Sequence, residues 1–212
     1  MAKVKICGIR TAEAMLAAVA AQTEYVGLVF FPPSPRNISV ADAVPLADAA
    51  RGRAAIVALT VDADDALVED IMRRVRPDML QLHGSETPAR AAALRRRFHT
   101  KVMKAIKVET RADAEVALAY AEVADLILFD AKPPKGADRP GGHGAVFDWR
   151  LLDTVAGKVP FMLSGGLTPE NVAEAIRATG AETVDVSSGV ETAPGVKSVA
   201  LIQAFIAAAH GA

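Results

Sequence analysis

Short apolar runs alternate with amphipathic stretches from one end of this chain to the other. The runs Lys3–Ile6, Tyr25–Phe30, Ala55–Thr60, Met79–Leu82, Val102–Ile106, Leu126–Phe129, Phe161–Leu163 and Thr183–Val186 are apolar and rich in β-branched residues, which predicts strands buried on both faces. Between them, Thr11–Ala21, Asp64–Val75, Thr87–Phe98, Arg111–Ala121 and Pro169–Thr179 carry helical periodicity, and a last helix is predicted near Ser198–Ala209. Start signals agree with these segments. Thr11 and Thr87 stand at N-cap positions, and Pro169 follows Thr168 as a first helical residue.

Strands that alternate with helices predict a parallel sheet joined by right-handed crossovers. Eight such units in 212 residues favour closure into a (β/α)₈ TIM barrel, one domain over 1–212, rather than an open doubly wound sheet. The segment from Ala131 to about Val146 carries Pro133, Pro134, Gly136, Pro140, Gly141, Gly142 and Gly144, which excludes a regular element. A long loop in an otherwise economical chain reads as a lid or binding loop.

Composition changes the picture in several places. The chain is 51% hydrophobic and only 5% aromatic, which suits an aliphatic core and not a stacking surface for bases. Its 24 basic and 25 acidic residues leave a net charge of −1, so no bulk attraction to nucleic acid or an anionic membrane is implied. The run Arg95-Arg96-Arg97 reads as a solvated helix end, where the dipole favours cations. A single cysteine excludes an intramolecular disulfide. With no signal-like start and no apolar run of about 18 residues, the expectation is a soluble cytoplasmic protein. Apolar helix faces serve barrel packing and subunit contact alike, so the pattern sets no oligomeric state.

Barrel enzymes place their chemistry at the C-terminal ends of the strands. Those ends hold Cys7, then Pro33-Ser34-Pro35-Arg36, then Gln81-Leu82-His83-Gly84, Asp130, Ser164-Gly165-Gly166 and Ser187-Ser188-Gly189. Glycines after the seventh strand and a short turn after the eighth, around Ser188–Glu191, are a phosphate-site pattern: backbone N–H groups approach the anion closely. Tight turning is the other reading of the same glycines. Asp130 reads as a catalytic acid, as a cap or as a partner of Lys132. Cys7, just past its strand, reads as a solvent-facing base or as a small core residue. As a base it needs a neighbouring cation, for which Lys5 and Arg10 are candidates. Arg36 suits a carboxylate or phosphate clamp, or an ordinary surface. His83 reads as a site residue or a loop hydrogen-bonder. No G-x-G-x-x-G, H-E-x-x-H or Walker A pattern is present.

Taken together, these motifs resemble the phosphoribosylanthranilate isomerase family of tryptophan biosynthesis over nearly the whole chain. The resemblance rests on Lys5-Ile6-Cys7-Gly8-Ile9-Arg10, Ser34-Pro35-Arg36, Gln81-Leu82-His83-Gly84 and Asp130. It continues through Gly141-Gly142-His143-Gly144-Ala145-Val146-Phe147-Asp148-Trp149, Leu163-Ser164-Gly165-Gly166-Leu167, Asp185-Val186-Ser187-Ser188-Gly189-Val190-Glu191 and Pro194-Gly195-Val196-Lys197. It implies an Amadori rearrangement of N-(5-phosphoribosyl)anthranilate, with Asp130 as general acid and Cys7 as general base. It also implies Arg36 on the anthranilate carboxylate, and Gly165, Gly166, Ser187 and Ser188 on the phosphate, with no cofactor and no metal. His143 departs from the family pattern, which often has a small hydroxyl residue there. Two rivals remain: a related barrel acting on another sugar phosphate, such as the histidine-pathway isomerase (which carries an aspartate where Cys7 stands), and a non-catalytic barrel that binds a phosphorylated metabolite.

Overall fold

A computed structural model describes residues 1–132 and 147–212. Eight parallel strands close into a barrel in sequence order: β1 (Lys3–Cys7), β2 (Tyr25–Phe30), β3 (Ala55–Thr60), β4 (Met79–Leu82), β5 (Lys101–Val108), β6 (Leu126–Ala131), β7 (Phe161–Leu163) and β8 (Thr183–Val186). The last strand pairs with the first, Lys5 opposite Asp185 and Ile6 opposite Val186. The predicted TIM barrel is therefore present. Closure removes every sheet edge, and the strands' continuous apolar character follows from burial on both sides.

Around the barrel lie α1 (Ala12–Ala20), α2 (Val40–Ala50), α3 (Asp65–Arg74), α4 (Pro88–Phe98), α5 (Arg111–Glu115), α6 (Val172–Thr179) and α7 (Val199–His210). Side-chain oxygens of Thr11, Ser39, Asp64, Thr87, Thr110 and Ser198 each cap a helix by accepting a first-turn N–H. Two expected helices are shorter than their periodicity suggested. Arg111–Ala121 is α-helical only to Glu115 and then tightens into a 3₁₀ turn, Val116–Tyr120. Pro169 does not open a helix. Asn171 accepts from the Thr168 N–H at 2.8 Å and donates to the Gly166 carbonyl at 3.0 Å, which holds 168–171 as a turn and delays α6 to Val172.

Strand alternation sorts the core into two parts. Outward residues such as Val4, Ile6, Leu28, Ile56, Leu80 and Phe129 pack under the helices. Inward residues Val57, Met79, Met103, Ala105, Leu128 and Met162 form an apolar plug inside the barrel. Polar inward residues lie above that plug, at the C-terminal mouth. At the opposite rim, an acid just before each of β2, β4 and β6 accepts the N–H of the second residue of the preceding strand. Glu24 takes Val4 at 2.7 Å, Asp78 takes Ile56 at 2.7 Å and Asp125 takes Val102 at 2.8 Å. The sequence pattern did not announce a small antiparallel pair, β9 (Glu191–Ala193) and β10 (Val196–Lys197), which follows β8 on the mouth side.

Candidate active site

β1 runs one residue and β6 two residues past the apolar runs that mark them, and the first added residue of each is a candidate site residue. Cys7 is the last residue of β1, and Asp130 lies inside β6. Cys7 follows Lys5 by two positions and Asp130 follows Leu128 by two, so both side chains turn into the barrel. The Cys7 thiol does not face solvent. It is 4% exposed and packs with Val29 and Leu59. Gly27, opposite Cys7 on β2, makes room for it: a Cβ there would stand 3.0 Å from Cys7 Cα and 3.0 Å from Sγ.

The Cys7 side of the mouth is built from β1, β8 and the loops beside them. Lys5 is fully buried and donates to Asp185 Oδ1 at 2.8 Å, while Ser164 donates to Asp185 Oδ2 at 3.0 Å. Ser187 Oγ donates to the Cys7 carbonyl at 3.1 Å, and Lys197 donates to the Ser187 carbonyl at 2.8 Å. Burial is the largest influence on the Cys7 thiol and pushes it above its ordinary value; Lys5 and Lys197 pull against burial, and Asp185 adds to it. Burial works to strip Lys5 of its proton, but Asp185 and then Cys7 outweigh it and hold the ammonium above the usual lysine value. Arg10 plays no part at the thiol. Its guanidinium donates to the Pro35 carbonyl at 2.9 Å.

Arg36 is buried, not a surface arginine, and its stem lies across Gly8, where a Cβ would come within 2.6 Å of Arg36 Cδ. Nε and Nη2 grip Glu191 at 2.7 and 2.8 Å in a fork-to-fork pair. That leaves the Nη1 edge of the fork for another anion. Lys197 joins the same carboxylate at 2.8 Å. Burial works against the Glu191 anion, yet Arg36 and Lys197 outweigh it and hold the carboxyl below its ordinary value.

The Asp130 side is built from β4 and β6. His83 Nε2 approaches Asp130 Oδ2 at 3.4 Å, and Gln81 Nε2 meets His83 Nδ1 at 3.0 Å. Lys132 pairs with Glu109 instead of Asp130. The turn after His83 is pinned from below. Buried Lys104 donates to the Gly84 carbonyl at 2.6 Å and to Glu86 Oε2 at 2.8 Å, and Glu86 accepts the N–H of Gly84 and of Asp62.

Between the two sides, the loops after β7 and β8 touch. A Cβ on Gly189 would overlap the Leu167 carbonyl oxygen, so the 3₁₀ turn Ser188–Val190 rests directly on the Gly165–Leu167 loop. Gly165 and Gly166 have φ of 88° and 66°, a conformation natural to glycine. This sets the Gly165–Gly166 turn beside the loop that carries Ser187 and Ser188. The Gly-rich segment with His143 lies outside the described residues. Among the described residues no group of three His, Cys, Asp or Glu is arranged to hold a metal.

Sequence reasoning gave no role to Asp185, Glu191, Lys197 or Gln81. One signal was there: charged and amide residues at inward positions of strands, two before Cys7, Ser187 and His83, where only apolar residues belong unless function requires otherwise.

The family profile for N-(5′-phosphoribosyl)anthranilate isomerase matches residues 4–208. A curated N-(5′-phosphoribosyl)anthranilate isomerase of Rhodopseudomonas palustris (strain BisA53) is 58% identical over 207 residues, covering 98% of this chain and 95% of that protein. The crystal structure of the Thermotoga maritima phosphoribosyl anthranilate isomerase superposes with a TM-score of 0.87 at 37% identity over 100% of both chains. A crystal structure of phosphoribosyl anthranilate isomerase in complex with reduced 1-(o-carboxyphenylamino)-1-deoxyribulose 5-phosphate gives the same TM-score, 0.87, at 35% identity over 100% of both chains.

Proposed function

Because this chain belongs to the N-(5′-phosphoribosyl)anthranilate isomerase family, we propose that Cys7 is the general base and Asp130 the general acid of its reaction. The chain is an isomerase of tryptophan biosynthesis, and it converts N-(5′-phosphoribosyl)anthranilate to 1-(o-carboxyphenylamino)-1-deoxyribulose 5-phosphate. In the Amadori course of that reaction, Asp130 protonates the ribose ring oxygen and the ring opens to a protonated Schiff base. The cationic iminium acidifies the neighbouring C–H. Cys7 removes the C2 proton, and the resulting enolamine tautomerises to the ketone.

The observation that carries this reading is the placement of the two groups. Cys7 on β1 and Asp130 on β6 turn into one mouth from opposite sides, each backed by its own buried polar set. A substrate spanning the mouth meets the acid and the base at once, without moving between steps. The phosphate rests on backbone N–H groups of Gly165, Gly166, Ser187 and Ser188. Arg36 takes the anthranilate carboxylate through the edge that Glu191 leaves open, and His83 completes the acid side. Gripping the substrate at its two charged ends fixes the reacting carbons between them. No cofactor enters this course. One domain over 1–212 carries all of these groups, and the single cysteine suits the cytoplasm.

The test is the loss of anthranilate fluorescence when the protein meets freshly generated phosphoribosylanthranilate. Cys7→Ser and Asp130→Asn each lose about 10²–10⁴-fold in kcat while remaining folded. Near-parental turnover by either variant removes that residue from its role.

A further inference from the structure

We propose that Lys5 is the positioning cation of the Cys7 thiolate, its ammonium held below the sulfur by Asp185 so that a charged base can exist inside the barrel. The inference rests on the reading of Cys7 as the base. Lys5 does not touch the reacting atoms in this account; it acts through the sulfur.

The geometry is unusual for a strand interior. Lys5 is fully buried and points inward from the same strand and the same face as Cys7. Its opposite number in the β1–β8 register is Asp185, which it meets at 2.8 Å. Ser164 fills the other carboxylate oxygen at 3.0 Å. Two charges in this position are costly to bury, and an apolar pair of the same volume serves packing as well or better. The inward residues around it, Val57, Met79, Met103, Leu128 and Met162, are built in that apolar way. The ion pair interrupts that apolar plug, two residues before the sulfur on the same face of β1.

Among the described residues, other charged groups facing the thiol are few. Lys197 reaches it from β10, and Arg36 from the loop after β2, but both are engaged by Glu191 at 2.8 Å or less. Gly27 and Val29 on β2 and Leu59 on β3 bring no charge. Lys5 is the strongest opponent of the burial that keeps the thiol protonated, and Asp185 acts in the reverse sense. Removing the cation and removing the anion must therefore move the sulfur in opposite directions, which a mere strut between strands does not require.

The experiment titrates the thiolate by its ultraviolet absorbance, with Cys7→Ser as blank. Because Cys7 is the only cysteine, the signal has one source. The expected result is an upward move of about one pH unit or more in Lys5→Met, a tenfold loss of thiolate at fixed pH, and a downward move in Asp185→Asn. Either single change leaves a buried charge alone, so Lys5→Met/Asp185→Asn, which leaves none, is the deciding variant. It folds, its thiolate profile lies above the parent's, and the rising limb of kcat/KM moves with it. A thiolate profile in the folded double variant that coincides with that of Asp185→Asn, from which it differs only by the cation, overturns the proposal and makes the pair a strut. A shifted thiolate profile with an unmoved kcat/KM limb leaves Lys5 in its role and instead removes Cys7 as the base.

Discussion

His83 Nε2 stands 3.4 Å from Asp130 Oδ2, while Gln81 Nε2 meets the other ring nitrogen at 3.0 Å. With the amide donating to Nδ1, a neutral ring carries its proton on Nε2, the nitrogen that faces the carboxylate. The Gln81 Oε1 is buried without a partner among the described residues. Turning the amide over would set Oε1 to accept from Nδ1–H instead. On the proposed assignment of Asp130 as the acid, His83 is placed to donate to the carboxylate left after proton transfer, in a contact that tightens once substrate is bound.

Removing that donor withdraws a hydrogen bond to a charged group, about 1.5–3 kcal/mol. His83→Asn therefore lowers kcat by about 10- to 150-fold with little change in KM, because the interaction grows only after proton transfer. Steady-state kinetics on the folded variant check this. A rise in KM alone would make His83 a substrate contact and nothing more.

Glu191 neutralises Arg36 and Lys197 together, so Glu191→Gln leaves two enclosed cations facing each other. The expected loss is about 3 kcal/mol of stability, the lower end for broken enclosed pairs because this one sits at the mouth. Urea unfolding measures it. KM rises as well, since the guanidinium loses the partner that aims it.

The same carboxylate makes the fold acid-sensitive in a defined window. Burial opposes the Glu191 anion, but Arg36 and Lys197 hold its folded-state value below the unfolded value of about 4.3. Its stabilisation is therefore complete above that value and is lost as pH falls through the lower folded-state value. Urea midpoints taken from about pH 6 down to pH 3 fall more steeply for the parent than for Glu191→Gln in this range.

Gly27→Ala sets a methyl group 3.0 Å from both the Cys7 Cα and its sulfur. One of the two strands must give, which costs about 1–3 kcal/mol. Displacing the sulfur by about 1 Å costs on the order of 10²-fold in kcat. Thermal unfolding and kcat together separate this from simple destabilisation, which would leave turnover at low temperature intact.

Gly189→Ala collides with the Leu167 carbonyl and forces the loops after β7 and β8 apart. Competition by inorganic phosphate weakens about tenfold or more, roughly 1.4 kcal/mol, while Cys7 titrates as in the parent. Inhibition constants for phosphate decide it. Unchanged phosphate competition would place the anion elsewhere on the mouth.

Much of the barrel was legible because strand burial writes itself into composition. Tyr25–Phe30, Ala55–Thr60, Met79–Leu82, Phe161–Leu163 and Thr183–Val186 are strands over the same residues that their apolar runs mark. Strand ends were less legible. Cys7 and Asp130 interrupt the apolar pattern, yet each belongs to its strand, since backbone pairing continues through a polar side chain that has somewhere to point. Helix α2, with Pro45 inside it, and the β9–β10 pair fell outside the predicted elements, because a proline and three- or two-residue strands leave little periodic signal.

What the sequence determined by itself was periodicity and motif order: eight units, a closed barrel, and the identity of Cys7, Arg36, His83, Asp130 and the glycine loops as the mouth. These are local properties, carried by a few adjacent residues each. What only the tertiary structure decided was which charge meets which. Lys5 faces Asp185 across 180 positions of chain, and Arg36 faces Glu191 across 155. Barrel closure brings β8 against β1, and no local pattern encodes that meeting. The electrostatics of the thiol follow from it, because inside an apolar barrel a charge is set by the few groups that reach it and by the absence of water to screen them.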